Sequence, residues 1–405
     1  MVNNHRYKII ALLILISINL PVSAQEKQPA NSKEPIAPKD PVVSIEPAKS
    51  KKREVPKGPV KSKEIAAEFP CNAEATVFLE SVLQEVHIIT TNEKKVRLVT
   101  TVYYQGGLEI TNEAWLKILG LRISGTMENV VVKSGDFGSG RPGTKESKLS
   151  FPYPGEAKKL SPTGIAVLDS AGNWINKKSN IRRNIILYIP AHAKADIESR
   201  YGGITLENNM GEVTIRINSA NLTMKDVDVC HVNSNYARIY ADSINNMKAE
   251  VKNGSFSAKN IGHLEITSRN STIEITGIQK LDILSEADQY EIEDAGVIAG
   301  IKSYGDFRVT SLKTSFDITG KSSNVKIRII EPTVSLVKID DQYADLRLPV
   351  GNLKNYTVSF EGGSTNTYAS FEKTNVTDHS FNAASGTGKP TTFNLKCNNC
   401  TVDFK

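Results

Sequence analysis

The 405-residue chain contains little cysteine, tryptophan or methionine, with four, two and five residues respectively. Four cysteines (Cys71, Cys230, Cys397 and Cys400) are too few to build a disulfide scaffold of this length. Downstream of Leu20 there is no apolar run of the roughly 20 residues that a membrane-spanning helix requires. The composition therefore argues against both a disulfide-built scaffold and a membrane span in the mature chain.

The part of the chain expected to fold also lacks a charge excess of either sign. The formal net charge of the whole chain is +6. Arg6 and Lys8 supply two of these charges, and residues 25–65 supply four, with ten Lys or Arg against six Asp or Glu. A nucleic-acid-binding protein carries its basic face on the folded part. We therefore expect no nucleic-acid partner.

The N-terminal segment has the features of an export signal followed by a linker. Basic residues Arg6 and Lys8 precede an apolar run from Ile9 to Leu20, and small residues follow as far as Ala24. This pattern is typical of a cleaved secretory signal over residues 1–24. Residues 25–65 contain seven prolines and many lysines, which predicts a disordered tether. The mature protein is expected to be exported, whether periplasmic, cell-surface or secreted.

The middle of the chain repeats itself at a constant interval. The segment LEITSRNSTIEITGIQK, Leu264 to Lys280, is followed at once by LDILSEADQYEIEDAGV with the same apolar rhythm. Apolar pairs separated by one variable residue occur at 204/206, 222/224, 239/241, 256/258, 273/275, 290/292 and 307/309. A further small or apolar residue recurs at 227, 244, 261, 278, 295 and 312. Each unit is predicted to form two short strands joined by turns.

A 17-residue unit is too short for a helix pair or a propeller blade, which need about 33 to 45 residues. It suits one coil of a parallel β-solenoid, in which like side chains stack about 4.8 Å apart. The predicted fold class is therefore all-β, a parallel β-solenoid (β-helix), with Ile261 and Ile278 stacked in its core. An antiparallel sandwich or barrel, which also has many short strands, is the alternative.

The flanking segments are predicted to be distorted coils of the same kind. Residues 66–194 are assigned to N-terminal β coils, with inserted loops over 106–180 and a short helix from Asn112 to Leu119. Residues 195–350 form the regular repeats and residues 351–405 the closing coils. The closing coil itself is expected at Thr392 to Leu395 and Thr401 to Phe404.

Two segments resemble the "putative adhesin" domains of exported bacterial proteins, also known as auto-transporter adhesin head-like domains. They are LYIPAHAKADIESRYGGITLENNMGEVTI, Leu187 to Ile215, and ASGTGKPTTFNLKCNNCTVDF near the C-terminus. The resemblance covers roughly Phe69 to the end of the chain. It implies an exported, non-enzymatic β-solenoid and carries over no catalytic residue. The chain departs from the family in the insertion 106–180 and in the Cys397/Cys400 pair.

One outward column of the predicted coils contains two neighbouring carboxylates. Glu274 and Glu291 would lie one coil apart, which is close to the carboxylate separation of about 5 Å in retaining glycosidases. The preceding strand adds Glu265 and Asp282 to this face. Arg308 on the next coil instead indicates a ladder of surface charges. The residues thus leave a carbohydrate-active enzyme, or a polysaccharide-binding face, as the alternative function.

The remaining motifs indicate structure rather than chemistry. The glycine-rich GSGRPG, Gly138 to Gly143, contains Pro142 and lacks the following helix that a dinucleotide site requires, so it is interpreted as a surface loop. The sequence Asp378-His-Ser380 places triad residue types side by side, where they cannot form a triad. The histidines show no metal-binding spacing.

The paired cysteines Cys397 and Cys400 lie between two predicted strands, not at a helix start as in redox motifs, so a structural disulfide is expected. Cys71 and Cys230 could pair or stay free. Together these observations predict a non-enzymatic, exported adhesin-like or cell-envelope-binding scaffold. It would need no cofactor and would bind an envelope or extracellular ligand, either protein or polysaccharide.

Overall fold

A computed structural model describes residues 59–82, 84–105, 111–134, 166–168 and 184–404. The predicted signal, most of the predicted tether, the GSGRPG loop and most of the insertion 106–180 lie outside these residues. The described part of the chain is almost entirely β-strand, joined into one sheet with a single helix.

The strands are numbered along the chain. They are β1 Lys61–Pro70, β2 Thr76–Val82, β3 Glu85–Thr91, β4 Lys95–Gln105, β5 Leu121–Gly125, β6 Asn129–Ser134, β7 Ala166–Leu168, β8 Asn184–Pro190, β9 Lys194–Arg200, β10 Ile204–Leu206, β11 Met210–Asn218, β12 Asn221–Asn235, β13 Arg238–Lys252, β14 Ser255–Arg269, β15 Thr272–Glu286, β16 Gln289–Ile330, β17 Leu336–Gln342, β18 Asp345–Arg347, β19 Tyr356–Glu361, β20 Asn366–Ala369, β21 Ser380–Ser385, β22 Thr391–Asn398 and β23 Thr401–Phe404. The helix α1 spans Asn112–Leu119, the bounds that the sequence predicts.

Strands β12 to β16 pair in parallel, each residue lying opposite its counterpart in the next repeat. Ile261 lies opposite Ile278, and the two side chains are only 3% and 5% exposed. The predicted stacking of the apolar columns is therefore confirmed. Like side chains bury one another along the ladder because no single strand has a core of its own.

β12 to β15 are each one continuous strand of 15 residues, where the sequence predicts two shorter strands, and β16 continues for 42 residues through further repeats. Along β13 the burial alternates, except at two places where adjacent side chains both avoid the core. The strand bends there without leaving the ladder, so hydrogen bonding continues through bends that the apolar pattern alone marks as turns.

Consecutive long strands are joined by a two-residue corner whose first residue has a positive φ. Asn253 and Asn270 occupy this position with φ of 52° and 50°. Asparagine tolerates the left-handed region better than most residues. The N–H of each corner residue donates to the next strand, as from Asn253 to the Arg269 carbonyl at 3.0 Å. The corners are thus part of the same ladder.

The N-terminal end of the ladder is closed by antiparallel strands. β1 pairs antiparallel with β4, and β5 pairs antiparallel with β6. Trp115 of α1 is 1% exposed and its ring lies 5.0 Å from that of Tyr104. Ile65 in β1 is fully buried, so the predicted tether boundary at this residue falls inside a strand that packs on the core.

The C-terminal end departs from the expected order. β22 pairs in parallel with β17 on one side and with β19 on the other, so the last strands lie between earlier ones. β21 then pairs antiparallel with β19. The sequence predicts that the closing coil is formed by Thr392 to Leu395 and Thr401 to Phe404. In the structure these segments lie between earlier strands and do not close the stack. They fill a space left between β17/β18 and β19/β20.

Candidate functional site

The carboxylate face expected from the sequence lies on the outer side of β14 to β16. Glu274 is the register partner of Glu291, and Glu265 is the partner of Asp282. Partners on adjacent strands lie about 4.8 Å apart. Glu265, Glu274 and Glu291 are exposed. The structure thus makes register partners of each predicted carboxylate pair, and the Glu274/Glu291 pair is exposed.

Asp282 is held as an anion by two basic neighbours. Lys280 Nζ lies 2.7 Å from Asp282 Oδ2, and His263 Nε2 lies 2.7 Å from the same oxygen. Partial burial opposes ionisation, but the hydrogen bonds from Lys280 and His263 outweigh it and lower the pKa of Asp282. A general acid requires the opposite shift. Glu265 lies within 3.6 Å of Lys248.

A groove of about 480 Å³ runs beside Glu291. The sequence suggests that Arg308 offsets the charges of Glu274 and Glu291, but its guanidinium pairs with Asp306, at 3.1 Å on the same strand. Asn324 donates to the other oxygen of Asp306 at 3.1 Å. The Arg308 guanidinium is thus engaged with a carboxylate of its own strand rather than with Glu274 or Glu291.

A larger groove of about 970 Å³ lies near the start of the ladder, beside β9, β11 and β12. Lys194 and Glu212 form an ion pair across it at 2.6 Å, and Asn245 donates to Asp228 at 2.7 Å. His192 also lines it. Within the described ranges no group of three or more His, Cys, Asp or Glu side chains could hold a metal ion.

A buried polar cluster lies inside the corner between β15 and β16, where sequence reasoning placed no functional residue. The carboxylate of Asp288 is fully buried and accepts hydrogen bonds from Ser268 at 2.7 Å, Ser285 at 2.6 Å and the Ser271 N–H at 2.7 Å. Ser268 also bonds the Tyr290 hydroxyl at 2.7 Å. Burial raises the pKa of Tyr290. Because these buried groups bond one another, the cluster stabilises the corner.

Lys302 and Asp341 extend this polar interior toward the C-terminal end. The Lys302 amine is fully buried and donates to the carbonyl oxygens of Asp288 and Tyr304, both at 2.8 Å. Burial lowers the pKa of Lys302 to about 8 and raises that of Asp341 to about 6. Asp341 Oδ2 is buried without a hydrogen-bond partner. The signal in the sequence is that Lys302 occupies the repeat position held by Ser268 and Ser285 in the two preceding repeats.

The remaining candidates occupy structural positions. Cys397 and Cys400 form a disulfide across the corner between β22 and β23, whereas Cys71 and Cys230 are buried free thiols. Burial raises the pKa of Cys230 to about 12. The Ser380 hydroxyl bonds that of Thr377 at 2.7 Å. None of the helices in the described residues is long and apolar enough to cross a membrane.

No protein-family model matches the chain, and no curated protein matches it either. Three solved structures show a distant similarity. A "putative cell adhesion protein" from Clostridium sporogenes ATCC 15579 has 9% identity and a TM-score of 0.20, covering 85% of this chain and 99% of its own. A "putative adhesin" from Parabacteroides distasonis ATCC 8503 has 11% identity and a TM-score of 0.33, covering 71% and 98%. A "putative adhesin" from Bacteroides fragilis NCTC 9343 has 10% identity and a TM-score of 0.29, covering 85% and 97%.

Proposed function

We propose that this chain is an exported, adhesin-like binding module of the cell envelope, and that its parallel ladder winds as a β-solenoid. The observation that carries the proposal is the constant 17-residue register from β12 to β16. Because the register is constant, outward side chains stand in columns, and a surface of this kind contacts a ligand repeatedly along its length. Such a surface suits binding of an extended or multivalent partner.

The charges on the carboxylate face support binding over catalysis. Glycoside hydrolysis requires one carboxyl whose pKa is raised so that it can act as an acid. Asp282 has its pKa lowered by Lys280 and His263, and Glu265 lies near Lys248. Glu265 and Asp282 therefore behave as members of surface ion pairs, each worth about 0–1 kcal/mol.

Export is supported by the residues before the ladder and by one bond within it. The basic, apolar and small residues of positions 6–24 have the order of a secretory signal. The Cys397–Cys400 disulfide fits an oxidising compartment. N-terminal sequencing of the protein from an exported fraction should begin at Gln25. An intact N-terminus confined to the cytoplasm would contradict export.

A duplication tests the solenoid. A second copy of residues 264–280, inserted after Lys280, adds one complete repeat whose neighbours carry matching columns. We expect this variant to fold and to unfold cooperatively, because each repeat contacts only its neighbours. An insertion of ten residues of the same composition at the same point shifts the columns out of register and serves as the control. If both insertions were equally damaging, the solenoid would be wrong.

A paired substitution tests the alternative of a carbohydrate-active enzyme. Glu274→Gln/Glu291→Gln removes both carboxylates of one pair, while Glu198→Gln/Glu250→Gln removes two carboxylates elsewhere on the ladder. We expect no release of reducing ends from a polysaccharide panel by the full chain or by either variant. If the full chain released reducing ends and only the first variant lost this activity, the protein would be a hydrolase and the proposal of a binding module would be wrong.

A further inference from the structure

Four of the corner residues with positive φ are tyrosines whose side chains face solvent. Tyr201, Tyr236, Tyr304 and Tyr343 have φ between 52° and 62°. Their side chains are 51%, 63%, 46% and 59% exposed. A bulky residue is unfavourable in the left-handed region, and asparagine or glycine is the usual choice there. These tyrosines therefore occupy strained positions without contributing a buried ring to the core.

The order of residues along this corner is regular. From the first corner to the ninth the residues are Tyr201, Ser219, Tyr236, Asn253, Asn270, Ala287, Tyr304, Ser322 and Tyr343. The N–H of Tyr201 donates to the carbonyl oxygen of Asn218, the residue before Ser219. The N–H of Ser219 donates in the same way to the carbonyl of the residue before Tyr236, so successive corners are neighbours. The arrangement tyrosine, serine, tyrosine thus occurs twice.

The spacing follows from the ladder. Tyrosines on either side of one serine are two repeats of the ladder apart, about 10 Å, and the two groups begin six repeats apart, about 29 Å. Tyr304 and Ser322 lie at corners within the long strand β16. We call this row of corner residues from Tyr201 to Tyr343 the tyrosine edge. Its tyrosines occupy corners that are separated by multiples of the same two-repeat interval.

The residues between the tyrosines are small or polar. Asn270 donates to Asn253 at 3.4 Å, and Asn253 donates to Asn235 at 3.2 Å. Arg269 and Glu286 beside the edge lie 3.4 Å apart as an ion pair. The edge therefore offers separated aromatic faces with hydrogen-bonding groups between them, rather than the continuous apolar patch that the core of a protein interface requires.

We propose that the tyrosine edge binds a linear polysaccharide that runs along the ladder. The apolar face of a sugar ring stacks on an exposed phenol ring, while sugar hydroxyls bond the serine and asparagine side chains between the rings. A polymer of identical units can meet rings that stand at multiples of one interval, even where the gap between Tyr236 and Tyr304 is wider than the others. This inference rests on the proposed function and assigns the class of its ligand.

Lys302 holds one of these tyrosines in place. Its buried amine donates to the Tyr304 carbonyl at 2.8 Å, which fixes the backbone of that corner from inside.

The test compares tyrosine variants of the full chain on immobilised chitin, cellulose, xylan and purified peptidoglycan sacculi. Tyr201→Asn/Tyr236→Asn should weaken binding to the preferred polymer by about tenfold or more, as expected for two lost stacking contacts. Its melting temperature should be equal or higher, because asparagine accepts the left-handed conformation more readily. Loss of binding is then separable from loss of folding. Tyr201→Phe/Tyr236→Phe, which keeps both rings, should retain most of the affinity.

Tyr368, which is 60% exposed on β20 and away from the edge, supplies the matched control. Tyr368→Asn should leave binding unchanged. Equal binding by the full chain and the edge variant would overturn the role of the edge and leave the binding module intact. Binding to none of the four polymers would contradict the assignment of a polysaccharide as the ligand. Retention on sacculi only through attached protein would contradict it as well. Hydrolysis of a polymer would instead overturn the proposed function itself.

Discussion

The middle of the ladder and its C-terminal end use the same strand pairing with different regularity. From β12 to β16 the register offset between neighbouring strands stays constant. The offset is larger between β16 and β17, where Phe316 lies opposite Val337. β17 in turn pairs with β22, where Leu336 lies opposite Thr392. The regular part needs only local order in the sequence, whereas the end is completed by a segment that returns from far along the chain.

The difference reflects what each region must do with its edges. A strand in the middle has a partner on both sides, while the last strand of a parallel stack would present unpaired N–H and C=O groups. Here β21 covers β19 in the antiparallel direction, as β1 covers β4 at the other end. Both ends thus depart from the repeat, and at each end an antiparallel strand pairs with a strand of the parallel ladder.

The largest effect is expected from a charge in the regular core. Ile278→Asp places an unpaired carboxylate between Ile261 and Ala295, which are both buried. We expect a loss of about 4 kcal/mol or more in the free energy of unfolding. Gln279→Asp, one residue away on the exposed side, is the control. Urea unfolding followed by circular dichroism measures both, and a near-native midpoint for Ile278→Asp would contradict the register.

A pH-dependent effect is expected at the C-terminal end. Burial raises the pKa of Asp341 to about 6, above its unfolded value of about 3.9. The protonated form is therefore favoured by folding, and its contribution is present below about pH 4 and lost as the pH rises through about 6. The charge of Lys302 nearby partly compensates the buried carboxylate. We therefore expect the free energy of unfolding to fall by about 1–3 kcal/mol as the pH rises from 4 to 7.

Asp341→Asn should flatten this dependence between pH 4 and pH 7. Thermal unfolding at several pH values measures it, and Asp340→Asn on the exposed side of the same strand is the control. A wild-type stability that rises from pH 4 to pH 7, with a slope that depends on Asp341, would contradict the sign given above.

A smaller and more local effect is expected from the disulfide. Cys397→Ser/Cys400→Ser opens a very short loop, so the loss should be about 2 kcal/mol. Because each strand contacts only its neighbours, amide exchange should quicken in β22 and β23 and stay unchanged in β13 and β14. Cys230→Ser, which removes a buried free thiol in β12, distinguishes the loss of the bond from the loss of a sulfur. Uniform loss of protection along the ladder would show that the end and the middle unfold together.

The smallest effect is expected on the surface of the regular part. Lys280→Ala removes one partner of Asp282, and the remaining contact with His263 keeps the carboxylate paired. The free energy of unfolding should change by less than about 0.5 kcal/mol, and by less still at high salt. Thermal unfolding at two salt concentrations measures this. A change as large as that expected for Ile278→Asp would mean that the carboxylate face contributes to the fold as the core does.

The period of the repeat, the stacking of Ile261 on Ile278 and the bounds of α1 could be predicted because each depends on local pattern. The helix begins where Thr111 accepts a hydrogen bond from Ala114 N–H and ends at Gly120 with φ of 65°, both of which are local signals. The carboxylate pairs could be placed as well, because a constant register makes neighbours of residues that occupy the same position in successive repeats.

Other features depended on contacts that no local pattern encodes. The place of β22 between β17 and β19 depends on its pairing with both strands, which the local sequence of β22 does not encode. The pKa shifts of Lys302 and Asp341 follow from their burial. The sequence does not reveal that burial, since a lysine or aspartate at the end of a repeat could equally lie at an exposed corner. The left-handed backbone at the tyrosine edge arises because each corner must turn within two residues and still bond the next strand.

The sequence by itself determined the spacing of the strands, because apolar side chains that recur once in every repeat can be buried only by stacking on one another. The tertiary structure alone decided how the ladder ends and which polar side chains are buried inside it. Those outcomes depend on hydrogen-bond partners and open edges between distant segments, and such contacts exist only once the strands are paired.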